Sequence, residues 1–234
     1  IEAAKKLFET SSDVKTRFRA GALIVNAYAS TRDFSEGLRY LNQIIPLVEQ
    51  IEDPDLRHHG WAAAGSISNH VGQFDDGLRY AELILADSPN VRTRCFAGTM
   101  RMEAFYMLGQ IEDREEEIRD IIRQCVDAGE PLFAGYGRVF LARLMAARGE
   151  RNEAVVLLNR YLPEVVQTRY PRAIGEYHSV LAEIFLDSGD FSQAEYHARE
   201  AIAQGAMMTN SAPLVAAYRV LFQSALQRGD TASA

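Results

Sequence analysis

Apolar residues recur along this chain at helical spacing, in runs of about 14 to 18 residues separated by punctuation. Val180, Leu181, Ile184 and Phe185 form one such set, and Leu141, Leu144 and Met145 another. Positions i, i+3 and i+4 mark a single buried stripe on a helix. Two kinds of punctuation alternate: Pro54, Gly72, Pro89, Gly109, Pro131, Gly149, Pro171, Gly189, Pro213, Gly229. Glycine ends a helix tightly through a left-handed residue. Proline pre-sets the first turn of the next helix and prevents the previous one from continuing. Each glycine is therefore read as the turn inside a helical hairpin, and each proline as the joint between hairpins.

The glycines Gly72, Gly109, Gly149, Gly189 and Gly229 lie 37, 40, 40 and 40 residues apart, and Arg32 holds the same phase 40 residues before Gly72. A constant period of this size predicts stacked supersecondary units. First helices are expected near 14–30, 55–71, 91–108, 132–148, 172–188 and 213–228. Second helices are expected near 35–51, 74–87, 112–128, 151–167 and 191–205, with 2–10 closing an earlier unit. The units run about 14–51, 55–89, 91–130, 132–170, 172–210 and 213–234, and form one repeat domain. The last unit is incomplete, so the sequence reads as a fragment of a longer protein. Exposed apolar ends, and dimers formed through them, are expected where such a stack is cut.

The units share side chains as well as turns. Phe34-Ser35-Glu36-Gly37-Leu38-Arg39-Tyr40 returns as Phe74-Asp75-Asp76-Gly77-Leu78-Arg79-Tyr80, and Phe191-Ser192-Gln193-Ala194 is the same segment later. Gly37, Gly77, Ala154 and Ala194 share one phase, where a small side chain lets helices approach closely. Pro46 and Pro163 share another, late in second helices, where kinks are expected.

These residues resemble the tetratricopeptide repeat (TPR). The second unit matches that pattern at Trp61, Gly65, Gly72, Phe74, Ala81 and Pro89. The fifth matches at Leu181, Ala182, Phe185, Gly189, Phe191, Ala194 and Ala201, and the fourth at Leu141, Ala142, Gly149 and Ala154. The third is poor, with Arg114 in the place of the small residue. HEAT-like repeats have a compatible period, but the Gly-x-aromatic turn and the Trp61/Gly65 pair favour the TPR reading. The resemblance implies an all-α, right-handed superhelix of about five and a half hairpins. These long repeats are similar to those of bacterial regulators, including regions placed before GGDEF-type cyclase or histidine-kinase modules. That likeness implies the regulatory or sensory region of a signalling protein. The alternatives are the ligand-responsive region of a transcriptional regulator and a stand-alone scaffold.

In this family the first helices line a groove for a protein or peptide. By the glycine phase, the groove positions fall on Arg19, Asn26, His59, Ser66, Asn69, His70, Glu103, Tyr106, Tyr136, Arg143, Glu176, Glu183, Asp187, Arg219 and Gln223. Tyr136 and Arg143 are expected to anchor a partner at little cost to stability. Glu183 and Asp187 should make the fifth unit acidic, giving a groove graded from aromatic and basic to acidic.

Charge and motif content narrow the chemistry. The formal net charge of −7 opposes nucleic-acid binding, which needs a basic stripe. No Ser/His/Asp order, phosphate loop or Cys-x-x-Cys occurs, so no catalytic residue and no cofactor is implied for this stretch; a cyclase or similar output module would lie in the longer protein. His58, His59, His70, His178 and His197 lack metal-ligand spacing, and His178 is read as packed inside a hairpin. The run Glu112–Glu117 suits a solvated helix start. No apolar stretch is long enough to span a membrane. The protein is expected in the cytoplasm or the periplasm, the latter if the sensory-cyclase likeness holds. Cys95 and Cys125 fall opposite one another in a hairpin and are read as two buried thiols, or as a disulfide in an oxidising compartment.

Overall fold

A computed structural model describes residues 1–31, 33–206 and 212–229. Its order is α1 (Glu2–Thr10), α2 (Val14–Thr31), α3 (Phe34–Ile44), a 3-10 helix (Ile45–Gln50), α4 (Pro54–His70), α5 (Phe74–Ala86), α6 (Val91–Met107), α7 (Glu115–Asp127), α8 (Pro131–Ala147), α9 (Arg151–Gln167), α10 (Pro171–Asp187), α11 (Phe191–Gly205) and α12 (Ala212–Gln227). No strand occurs among the described residues. The fold is all-α and built of helical hairpins, as the sequence predicts. The chain falls into two compact units, Ile1–Arg114 and Glu115–Ala234. The division lies in the third hairpin, where the repeat pattern is poorest. The phase position at Arg32 and the end of the sixth unit lie outside the described residues.

One hydrogen-bond motif ends the first helices. Gly72, Gly109, Gly149 and Gly189 all have positive φ. The amide after each donates to a carbonyl five residues back: Gln73 to Ser68 at 2.8 Å, Gln110 to Phe105 at 2.8 Å, Glu150 to Met145 at 2.9 Å and Asp190 to Phe185 at 3.0 Å. This is the Schellman closure, which satisfies carbonyls that the helix end would otherwise strand.

A second ladder, unseen in the sequence, sits at the joints. Ser88 (φ 50°), Gly129 (φ 69°) and Arg169 (φ 53°) are left-handed at the same phase. Gly129 closes α7 with its own Schellman bond, Glu130 to Cys125 at 2.8 Å. Proline then opens α4, α8 and α10, whereas Asn90 caps α6 by accepting from Thr93 at 2.9 Å.

Pro46 does not simply kink a helix: α3 ends at Ile44 and the chain tightens into the 3-10 helix that carries the proline. Pro163 lies inside the unbroken α9.

In the first unit the core joins Phe18, Ile24, Val25, Ile44, Ile67 and Ile84, all fully buried. In the second, Leu158, Val165, Tyr177 and Leu181 form one cluster, and Ala182, Ala194, Ala198, Ala201 and Val220 another. The shared small position works as expected. A side chain on Gly37 would meet Ile67, and one on Gly77 would meet Asn69. Cys95 and Cys125 are both buried, but neither is a free thiol, which corrects the reading of two buried thiols. One apolar stripe, Val215, Tyr218, Phe222 and Leu226 on α12, stays exposed.

Candidate functional site

The predicted groove positions divide into those the helices draw together and those they do not. In the second unit four of them form a row across three successive first helices. Arg143 on α8 donates to Glu176 of α10 at 3.3 Å and lies 3.7 Å from Glu183, one further turn pair along α10. Glu183 also accepts from Arg219 on α12. The row reads Arg–Glu–Arg across the hairpins because α10 packs against both α8 and α12 and presents its i and i+7 positions on one face. The outer end is wet: Arg219 has 56% of its side chain exposed, against 16% for Arg143 and 14% for Glu176. Charges this accessible at one end can exchange partners with a ligand, while the half-buried pair holds the α8–α10 register.

The graded groove is therefore corrected. Glu176 and Glu183 of α10 are matched by arginines from both sides, which leaves Asp187, among the described residues, as the one carboxylate of the predicted acidic set without an arginine contact. Asp187 is exposed, and with Gln223 it lines an open cleft at the ends of α10 and α12 beside Leu186, Leu226 and Gln227. Tyr136 packs partly into the second-unit core under the Arg172 guanidinium, 5.9 Å from the ring centroid, so the expectation of a cheap Tyr136→Ala does not fit its surroundings.

The first unit treats its candidates differently. Arg19, Asn26 and His59 are exposed, while Tyr106 is half-buried. Asn69 is buried; its amide donates to the Met100 carbonyl at 3.1 Å and to Glu103 at 3.3 Å, tying α4 to α6. Its Oδ1 points into the notch at Gly77, 1.8 Å from where a Cβ would stand. Asn69 is thus a structural residue and explains why its neighbour is glycine. His70 is half-buried, bonded through Nδ1 to the Ser66 carbonyl at 2.6 Å and lying 6.0 Å from the Phe34 ring.

Three polar clusters escaped the sequence reading. Arg57 binds Asp87 through two nitrogens at 2.7 and 3.1 Å and the carbonyls of Ile51 and Glu52 at 2.9 Å, so one guanidinium fastens two joints. Arg138, 4% exposed, donates to Glu164 at 2.9 Å and lies 3.7 Å over the Tyr161 ring. Burial in this cluster pushes the Tyr177 phenol well above its ordinary range. Glu195 accepts from Ser224 at 2.8 Å and pairs with Arg199 and Arg228. None shows a recurring motif; each contains a pair 26 to 30 residues apart in the chain. Among the described residues no group of His, Cys, Asp and Glu could hold a metal ion. No described helix is long and apolar enough to cross a membrane.

No protein-family model and no curated protein sequence matches the chain. Solved structures do. Aspartyl phosphate phosphatase F from Bacillus subtilis superposes with a TM-score of 0.69 at 10% identity, over 98% of this chain and 61% of that one. The apo quorum sensor NprR from B. thuringiensis gives 0.66 at 11% identity, over 98% and 65%. This chain thus spans under two thirds of the length of either protein. The TPR-like repeats of a kinesin light chain from Podospora anserina give 0.58 at 17% identity, over 84% and 98%. At these identities the likeness is one of fold, and that fold is the stacked TPR-like hairpin.

Proposed function

We propose that this chain is a protein- or peptide-binding repeat module and acts as the regulatory or sensory region of a bacterial signalling protein. The observation that carries the reading is the Arg143–Glu183–Arg219 row. Polar residues of successive first helices converge on one face, with one end buried enough to be ordered and the other open to a ligand. A partner with both an acidic and a basic group replaces the exposed Arg219–Glu183 contact with its own. The likeness to a quorum sensor supports a ligand-responsive role. The second reading is the ligand-responsive region of a transcriptional regulator.

The test is peptide selection from a random displayed library on the immobilised chain. Selected peptides should lose about tenfold or more in affinity on Glu183→Ala and Arg219→Ala, as interface anchors do. Both variants should keep the wild-type circular dichroism. Unchanged affinity in both removes the row from the binding surface.

A further inference from the structure

His178 of α10 and His197 of α11 face one another inside a hairpin with their Nδ1 atoms 2.9 Å apart. Both side chains are 6% exposed. Their ring centroids are 5.1 Å apart, Phe185 stacks on His197 at 5.5 Å and 5°, and Tyr196 meets it edge-on at 5.0 Å. At this distance one Nδ1–H must donate to the lone pair of the other Nδ1, so one ring carries its proton on Nδ1 and the other on Nε2. The arrangement has room for that one proton between the rings. If both rings were imidazolium, two Nδ1–H donors and two positive charges would be forced together away from water.

Little nearby offsets such a charge. Glu200, on α11, favours the charged form of His197, and His178 opposes it. Among the described residues no charged side chain of α8, α9 or α12 acts on either ring.

We propose that the facing imidazoles are an acid-operated latch: protonation of both parts α10 from α11 and uncouples the Glu176 and Glu183 row that α10 presents. The proposal goes beyond the binding role and stands whether or not that face takes a peptide.

The sign follows from where each proton is held. Burial lowers both rings from 6.5 to about 4 in the closed hairpin. The closed form is therefore favoured fully above pH 6.5. That advantage is lost as pH falls from 6.5 to 4, because the open form binds two more protons. In the middle of this window the opening equilibrium should rise about a hundredfold per pH unit in the wild type. It should rise about tenfold in His197→Phe, which leaves one titrating ring.

Hydrogen exchange of the α10 and α11 amides, corrected for the intrinsic rate at each pH, reads this directly. A companion histidine titration by NMR on the wild type reads the rings themselves. Steep opening in the wild type that is halved in logarithmic slope by His197→Phe, with both rings neutral at pH 5.5, is the expected result. Parallel slopes in the two proteins, or rings that titrate near 6.5 in the closed hairpin, overturn the latch. Should His197→Phe fail to fold, the wild-type titration alone decides.

Discussion

Single residues in this fold do work that depends on what stands opposite them. Gly77 is the clearest case, since its missing side chain leaves the notch that Asn69 fills. Adding a methyl group forces Asn69 to leave two hydrogen bonds that tie α4 to α6. Gly77→Ala should therefore destabilise the protein by about 1–3 kcal/mol in urea unfolding, despite alanine's better helix propensity. An unchanged midpoint would mean that Asn69 is not held. Arg169 is the opposite case. It sits at φ 53°, at the phase where Gly129 sits at 69°. A left-handed non-glycine residue costs on the order of 1 kcal/mol. Arg169→Gly should thus be neutral or stabilise by up to about 1 kcal/mol, once the greater freedom of glycine in the unfolded chain is counted. A clear loss of stability would show that the arginine side chain is needed at this joint.

At the scale of elements, the helices were legible because three signals agreed. Apolar stripes at period 3.6, glycine stops and proline starts each placed the same boundaries. Where a signal was missing the reading was poorer. The joint ladder of Ser88, Gly129 and Arg169 was hidden because serine and arginine do not advertise a left-handed conformation. The α3 ending is not legible in the sequence because a proline late in a helix permits either a bend or a tightening to 3-10 geometry. The site followed the same division. Phase alone picked Arg143, Glu176, Glu183 and Arg219, but pairing depends on side-chain reach across helices, so their mutual neutralisation was not legible. Nor was the Arg138–Glu164 pair, whose partners lie 26 residues apart on α8 and α9. Removing the half-exposed member of that pair strands a buried guanidinium. Glu164→Ala should cost about 1–3 kcal/mol and Glu164→Gln less, measured by thermal unfolding. Equal, negligible effects would mean that stacking on Tyr161 alone holds Arg138.

At the scale of the molecule, repetition converts a local rule into a surface. Each hairpin offers a first-helix face, and stacking sets those faces side by side, so groups distant in sequence become neighbours. That is how Arg143, Glu183 and Arg219 come to share one row in the second unit. The joints, by contrast, are closed by residues such as Arg57, which spend their donors on backbone and Asp87. Binding capacity is thereby left to the first helices. On the proposed function a partner binds this face and not the outer face of the second helices. The most direct measurement is the affinity of library-selected peptides for two variants compared with wild type: Glu183→Ala/Arg219→Ala on the row, and Val156→Ser on α9, whose side chain is 67% exposed. A loss of tenfold or more is expected for the first and no change for the second. Peptides that bind the row variant as wild type but fail on Val156→Ser would contradict the proposed function.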